Sequence, residues 1–182
     1  MPQAFHSDQD VIEAKDEEIK RWREYDAFEE VEENDQYVIS MRWIVTEKDN
    51  GKVKARLIVR GFEEEVVPQS DSPTASKEST KLFLAICANE NFQVKSLDVT
   101  SAFLQGRPLE RDVFVNPPSE VKRDGYIWKL KKTCYGLYDA SRSWYFAVKE
   151  EVEKIGMKAL SGDSSFFYLV RNEKLLGIPT YF

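Results

Sequence analysis

Residues 95–106 read KSLDVTSAFLQG, and the aspartate at position 98 makes this the most informative stretch of the chain. The pattern of residues 92–99 predicts a β-strand in which Leu97 and Val99 point to one face and Asp98 to the other. A carboxylate at a strand end, beside a turn of small residues, suits a hard cation held by oxygen ligands. The alternative at this point is that Asp98 caps the turn that follows it.

The composition predicts a folded intracellular domain. Of the 182 residues, 42% are hydrophobic and 13% aromatic, which argues against disorder throughout. The longest apolar run, residues 82–88, is too short to span a membrane, and no signal peptide is evident at the N-terminus. Two cysteines, Cys87 and Cys134, make neither a disulfide framework nor a zinc site. The single histidine, His6, lies within residues 1–10, which we expect to be disordered, so we expect no histidine-based catalysis.

Charge is distributed unevenly along the chain. The net charge is −6, yet residues 1–36 contain 13 acidic and 4 basic residues. The remainder is therefore net basic, and residues 42–62 and 121–149 are its most basic stretches. Such stretches can face phosphate, although a solvated surface is the alternative.

A β-hairpin with a row of cations is predicted around Asn50-Gly51, a strong hairpin-turn signal. Its strands are residues 37–47 and 52–61. Alternation in the second strand places apolar side chains on one face and cations on the other. The cations are Lys52, Lys54, Arg56 and Arg60. Guanidinium and ammonium groups in a row bind phosphate well, but basic edge strands also exist to block aggregation.

The remaining pattern mixes helices and strands without βαβ alternation, which favours an α+β fold. Residues 11–33 predict a surface helix, and Ser76 is the expected N-cap of a largely buried second helix. Strands are expected at residues 111–116 and 126–130, and a third helix from Ser141 to Gly156. Two more strands joined at Arg171 and Asn172 are expected near the C-terminus.

A third candidate stretch, CYGLYDASRSW, combines aromatic and basic residues around Gly136. Tyr135 and Trp144 offer flat surfaces, and three cations lie nearby: Lys131, Lys132 and Arg142. This interleaving suits a nucleotide or a single strand of nucleic acid. The alternative is a glycine-broken turn between a strand and a helix, with the aromatic residues in the core.

Three segments are distinctive in order and spacing: KARLIVRGF (54–62), LDVTSAFLQG (97–106) and YGLYDASRSWY (135–145). With VFVNPPSE and GDSSFFY in their expected places, they closely resemble the reverse transcriptase of Ty/copia-type LTR retrotransposons. The resemblance runs from about residue 11 to about residue 177. It implies an α+β fingers-and-palm polymerase fold, with a basic fingers hairpin and an antiparallel palm sheet packed on helices. The N-terminal helix and fingers would occupy about residues 11–90, and a partial palm about residues 91–182.

The resemblance also implies roles for particular residues in RNA-directed DNA polymerisation, the template-directed transfer of nucleotides from dNTPs to a primer 3′-OH. Asp98 would be a catalytic carboxylate that holds Mg²⁺, with Mn²⁺ as the alternative ion, and the backbone carbonyl of Val99 would complete one metal shell. Phe103 would be the aromatic gate against the ribose 2′-OH. Lys54 and Arg56 would grip the incoming triphosphate.

Further positions would contact the nucleotide or the nucleic acid. Tyr135 and Gly136 would lie at the nucleotide-facing turn. The expected nucleic-acid contacts are Lys52, Arg60, Lys131, Lys132 and Arg142. The implied partners are an RNA or DNA template–primer, dNTPs and the rest of a Pol polyprotein with its integrase and RNase H, without a membrane. The implied location is a cytoplasmic particle or the nucleus.

The chain departs from the family pattern in two places. Asp139 and Ser141 stand where plant and yeast members typically have Gln and Pro. After GDSSFFY the family continues into a Tyr/His-Val-Asp-Asp hairpin with two more carboxylates, whereas this sequence ends in GIPTYF. We therefore expect a fragment that is inactive alone, because one carboxylate cannot hold two Mg²⁺ ions. The alternatives are a non-catalytic nucleic-acid-binding remnant of a Pol polyprotein and an inert relic.

Overall fold

The structure, a computed structural model, describes residues 7–177 and has the α+β fold that the sequence predicts. The helices are α1 (Asp8–Glu24), α2 (Lys77–Asn89) and α3 (Ala140–Lys154). The strands are β1 (Phe28–Glu32), β2 (Val38–Ile39), β3 (Met41–Glu47), β4 (Val53–Val59), β5 (Phe114–Val115), β6 (Tyr126–Leu130), β7 (Lys158–Leu160), β8 (Asp163–Arg171) and β9 (Lys174–Gly177). None of these helices combines the length and apolar character that crossing a membrane requires.

The described strands form three sheets. One has the order β1-β6-β5-β2, in which only the β2–β5 pair is parallel. The second is the antiparallel hairpin of β3 and β4, and the third is the antiparallel sheet β7-β8-β9.

The N-terminal helix is shorter than predicted and begins earlier. Ser7 caps α1 by accepting a hydrogen bond from the N–H of Asp10, so residues 8–10, expected to be disordered, are helical. The helix ends at Glu24, and Asp26 adopts a positive φ of 51° before β1. A single helix over residues 11–33 is therefore wrong, because pairing with β6 gives β1 the hydrogen bonds of a sheet instead. His6 lies outside the described residues.

Aromatic side chains join α1 to the first sheet. Trp22 of α1 and Trp128 of β6 are almost completely buried, and their ring centroids are 6.1 Å apart. Phe28 of β1 stacks on Trp128 with centroids 3.7 Å apart. Such pairs stabilise a fold by about 1 kcal/mol beyond the burial of their area, so the rings fix the position of α1.

The hairpin confirms the predicted alternation. Val53, Ala55, Leu57 and Val59 are buried, while the residues between them are only partly covered. α1 lies against β4, where Ala14 packs with Val53 and Ala55. The strand itself is shorter than predicted, so Lys52 and Arg60 flank β4 and do not belong to it.

Residues 92–99 do not form the predicted strand. They follow α2 without regular structure, and Leu97 is 92% exposed. No strand among residues 7–177 pairs with this segment, so its backbone has no ladder of hydrogen bonds. The predicted placement of Asp98 on the opposite face from Leu97 and Val99 therefore fails. The strand predicted at residues 111–116 is also shorter in the structure, where β5 comprises Phe114 and Val115.

The later elements agree with the sequence more closely. Ser76 caps α2, accepting a 3.0 Å hydrogen bond from the N–H of Ser79. However, α2 is not largely buried, since its buried residues are Ser79 and Cys87. β8 and β9 form the expected terminal hairpin, with the positive φ angles at Asn172 and Glu173, one residue later than predicted.

Candidate functional site

A polar cavity of about 300 Å³ lies between α1, β4 and the turns at residues 98–101 and 135. It brings together six residues that the sequence singled out from three separate stretches. These are Lys52, Lys54, Arg56, Asp98, Val99 and Tyr135. The turn that follows Asp98 contains Ser101, which adopts a left-handed backbone at φ 53°. We call this space the β4 cavity.

Positive charge is concentrated in the β4 cavity. Five cations line it: Arg21, Lys48, Lys52, Lys54 and Arg56. The pKa of Lys54 is lowered, first by its partial burial and then by the positive charges of Arg56, Lys48 and Arg21. A bound anion would relieve this repulsion, so the site favours a negatively charged ligand.

The carboxylates of α1 are the part of this site that the sequence analysis missed. Glu18 is only 2% exposed. It accepts hydrogen bonds from the indole N–H of Trp22 at 3.3 Å and from the backbone N–H of Leu57 at 3.5 Å. Arg21 donates to Glu18 at 3.3 Å and to Glu17 at 3.2 Å. The helical spacing of Glu17, Glu18 and Arg21 is the signal that could have indicated a paired cluster on one face.

Asp98 is exposed and lines the cavity next to Val99, in the irregular segment before the turn at Thr100 and Ser101. Among residues 7–177, no group of three or more His, Cys, Asp or Glu side chains is arranged to hold a metal ion. A Mg²⁺ ion needs a near-octahedral set of oxygen ligands. Asp98 and the carbonyl of Val99 supply too few, so the described residues alone do not fit a pair of Mg²⁺ ions.

The turn at Tyr135 and Gly136 closes against β4. The carbonyl of Tyr135 accepts a 2.8 Å hydrogen bond from the N–H of Val59. Gly136 has φ 96°, and a Cβ atom at this position would lie 2.0 Å from the carbonyl oxygen of Val59. Only glycine allows this approach. The phenol of Tyr135 has a raised pKa because burial and the nearby Glu18 carboxylate disfavour the charged form.

Phe103 lies outside the lining of the β4 cavity. It belongs to a short 3₁₀ helix, Ala102–Gln105, and its ring contacts that of Tyr135 edge to face, with centroids 5.2 Å apart. The geometry thus connects Phe103 to the cavity through Tyr135.

The predicted nucleic-acid contacts are dispersed. Lys52 is the one of these five that lines the β4 cavity. Arg60 pairs with Glu63 at 3.7 Å, and Lys131 pairs with Asp26. Arg142 donates to the carbonyl of Asp71 at 2.9 Å and lies over the ring of Phe146. Lys132 is half-buried, and its backbone forms a β-bridge with Pro108.

Comparison with known proteins shows which family the chain belongs to. The family model for reverse transcriptase (RNA-dependent DNA polymerase) matches residues 25–181. The Pol polyprotein of transposon RE1 from Arabidopsis thaliana is 31% identical in an alignment of 155 positions that covers 79% of this chain and 10% of the relative. That of transposon TNT 1-94 from Nicotiana tabacum is 33% identical in an alignment of 118 positions that covers 59% of this chain and 9% of the relative.

Yeast relatives are similar over the same region. The Ty1-H Gag-Pol polyprotein of Saccharomyces cerevisiae is 26% identical in an alignment of 153 positions that covers 82% of this chain and 8% of the relative. The chain thus spans about a tenth of the length of these polyproteins. No solved structure gives a significant match. The chain belongs to the reverse transcriptase family, in the Ty1/copia-type branch of retrotransposon Pol polyproteins.

Proposed function

We propose that this chain forms the nucleotide-binding part of an RNA-directed DNA polymerase, which transfers nucleotides from dNTPs to a primer 3′-OH on a template. The β4 cavity is the observation that carries the proposal, since it gathers cations and Asp98 within a chain of the reverse transcriptase family. Phosphoryl transfer depends on positioning and charge neutralisation more than on a protein nucleophile. A site in which cations outnumber carboxylates suits that chemistry.

Each candidate residue has a proposed task. Lys54 and Arg56 bind the phosphates of the incoming nucleotide, and the turn of Tyr135 and Gly136 supports its nucleoside. Phe103 acts as the gate against the 2′-OH, positioned by its contact with Tyr135. Asp98 and the carbonyl of Val99 are proposed ligands of Mg²⁺ or Mn²⁺, the ions that would neutralise charge on the phosphates.

Polymerisation by the described residues alone is not expected. Asp98 provides one carboxylate, and a two-metal site needs more oxygen ligands than this. We therefore propose that this chain binds nucleotide but extends a primer only together with further carboxylates. Its proposed partners are an RNA or DNA template–primer and the remainder of a Pol polyprotein with integrase and RNase H. The proposed location is intracellular, in a cytoplasmic particle or the nucleus. We also propose that the chain divides into fingers (about 11–90) and a partial palm (about 91–182).

Nucleotide binding tests the proposal directly. Calorimetric titration of a dNTP into the 182-residue chain should show saturable binding. Lys54→Ala and Arg56→Ala should each weaken it about tenfold, the effect of losing a charge-assisted contact. Lys174→Ala removes a cation on β9, remote from the cavity, and should leave the affinity unchanged. Equal affinities for all four proteins would refute the proposed site.

A non-catalytic nucleic-acid-binding protein is the second candidate. It is favoured by the combination of a cationic cavity with the absence of a metal-binding cluster among the described residues. In that case affinity for single-stranded nucleic acid would fall steeply with salt. Asp98→Ala would leave that affinity unchanged, and dNTPs would not compete for the site.

A further inference from the structure

Glu17 bridges two cations of the β4 cavity with its two carboxylate oxygens. Oε2 accepts from a terminal nitrogen of Arg21 at 3.2 Å, and Oε1 lies 3.6 Å from Nζ of Lys52. Arg21 comes from α1, whereas Lys52 precedes β4, so the carboxylate connects the two walls of the cavity. A phosphate group presents its oxygens to cations in a comparable bridging arrangement.

We propose that Glu17 occupies the place of a phosphate, and that a polyphosphate displaces it and takes Arg21 and Lys52 as ligands. This inference rests on the proposed function, because it extends the phosphate-binding set beyond Lys54 and Arg56. It assigns to α1 a part in selecting the ligand.

Glu17 and Glu18 differ in solvent exposure, and this difference explains why a ligand would displace the carboxylate of Glu17 and not that of Glu18. The side chain of Glu17 is 52% exposed, so water can solvate it after displacement. The side chain of Glu18 is 3% exposed and also binds Trp22 and Leu57. Removing a buried carboxylate from such partners would leave them unpaired. Glu18 therefore acts as the positioning residue that keeps the Arg21 guanidinium at the cavity when Glu17 leaves.

Charge balance favours the exchange. The cavity is lined by five cations and three carboxylates, the latter being Glu17, Glu18 and Asp98. A polyphosphate brings several negative charges where Glu17 brings one. The ligand thereby neutralises the cations that lower the pKa of Lys54, among them Arg21.

Calorimetric titration of inorganic tripolyphosphate into the 182-residue chain at low salt tests the exchange. Glu17→Gln removes the competing charge and should tighten binding about fivefold. This is the change in affinity expected when the ligand no longer has to break two exposed ion pairs. Glu24→Gln is the matched control. It makes the same change of net charge on α1 at a glutamate that pairs with Lys20 outside the cavity, and it should leave affinity unchanged.

Arginine variants test the other half of the exchange. Arg21→Ala should weaken binding about tenfold, as expected for a lost charge-assisted contact, whereas Arg23→Ala, on an exposed position of the same helix, should not. In the Arg21→Ala background, the gain from Glu17→Gln should shrink, because one of the two released cations is gone. Thermal melting of each variant verifies that it is folded, and Arg21→Gln, which removes the charge but keeps a long polar side chain, replaces Arg21→Ala if the latter is not.

The outcomes separate this inference from the proposed function. If the wild-type chain binds tripolyphosphate and Lys54→Ala weakens it, but Glu17→Gln binds no tighter than wild type, the exchange is refuted and the cavity proposal stands. Equal gains from Glu17→Gln and Glu24→Gln would also refute it, because net charge alone would explain them. If the wild-type chain binds neither tripolyphosphate nor a dNTP, both proposals fail together.

Discussion

The backbone N–H of Val59 donates to the carbonyl of Tyr135 at 2.8 Å, which connects the end of β4 to the turn that borders the cavity. The two residues are 76 positions apart in the sequence. Next to them, Gly61 and Gly136 allow the two backbones to approach so closely that a Cβ atom on either would clash. The shape of the β4 cavity therefore depends on glycine at both positions.

Replacing Gly136 by alanine should destabilise the fold by about 3 kcal/mol, because the new Cβ adds a backbone clash to the strain of φ 96°. Gly125→Ala separates the two effects, since Gly125 has φ 75° but no atom within 4 Å of a Cβ. It should cost only about 1 kcal/mol. Urea denaturation measures both changes in the free energy of unfolding, and equal losses would show that the close approach is absent in solution.

Arg111 links the loop after β4 to the start of α3. Its guanidinium binds Glu64 at 2.8 Å and Asp139 at 2.6 Å, and these contacts raise its pKa despite the opposing effect of burial. Arg111→Ala leaves two partly buried carboxylates without their cation and should cost about 2 kcal/mol. Lys154→Ala removes a cation from a well-exposed pair with Glu151 and should change the unfolding free energy by less than about 0.5 kcal/mol. Similar small effects for both variants would contradict the assignment.

Asp163 makes the attachment of α2 to β8 sensitive to acid. Burial alone would raise its pKa, but hydrogen bonds from Ser165, Ser79 and Ser76 outweigh burial and lower the pKa from 3.8 to about 2. Because the folded pKa is depressed, the stabilisation is complete above pH 3.8 and is lost as pH falls toward 2.

The measurement compares the unfolding free energy of wild type and Asp163→Asn between pH 2 and pH 6. The difference between the two proteins should be largest at pH 6 and should shrink below pH 4. Asp49→Asn, in the exposed turn of the hairpin, is the control for the general effect of removing a carboxylate. A difference that does not depend on pH would show that the hydrogen bonds to Asp163 do not form.

Residues 93–99 should exchange their amide hydrogens rapidly, since they form no ladder with any described strand. The amides of β6, which pairs with β1 on one side and β5 on the other, should be protected and serve as the internal reference. Hydrogen exchange followed by mass spectrometry resolves the two segments. If residues 93–99 were protected from exchange as strongly as β6, they would form the strand that the sequence predicts, and the irregular backbone of the structure would be wrong.

The features that sequence alone predicted correctly depend on local signals. Asn50-Gly51 indicated the hairpin, and alternation along β4 identified its buried residues. Ser76 indicated the start of α2 in the same way, because an N-cap is a contact between near neighbours.

The failures concern contacts between distant residues. The acidic and apolar pattern around Val31 is compatible with a helix. This segment forms a strand instead, because Val31 pairs with Ile127 of β6. Residues 92–99 show the reverse case, in which strand-forming residues lack a partner strand among those described. The contribution of Glu18 to the cavity depends on its contact with Leu57, 39 positions away, and periodicity carries no information about such contacts.

The contact between Glu18 and Leu57 has a consequence for association between chains. Among the strands of residues 7–177, β4 pairs with β3 on one edge and with none on the other, and an open strand edge is a template for pairing with another molecule. On its other edge, the N–H groups of Leu57 and Val59 are already bound by the Glu18 carboxylate and the Tyr135 carbonyl. A side chain and a turn thus occupy these two donors, so a further strand cannot pair with the hairpin at these positions. Through Glu18, α1 covers part of the open edge of the hairpin while it forms a wall of the cavity.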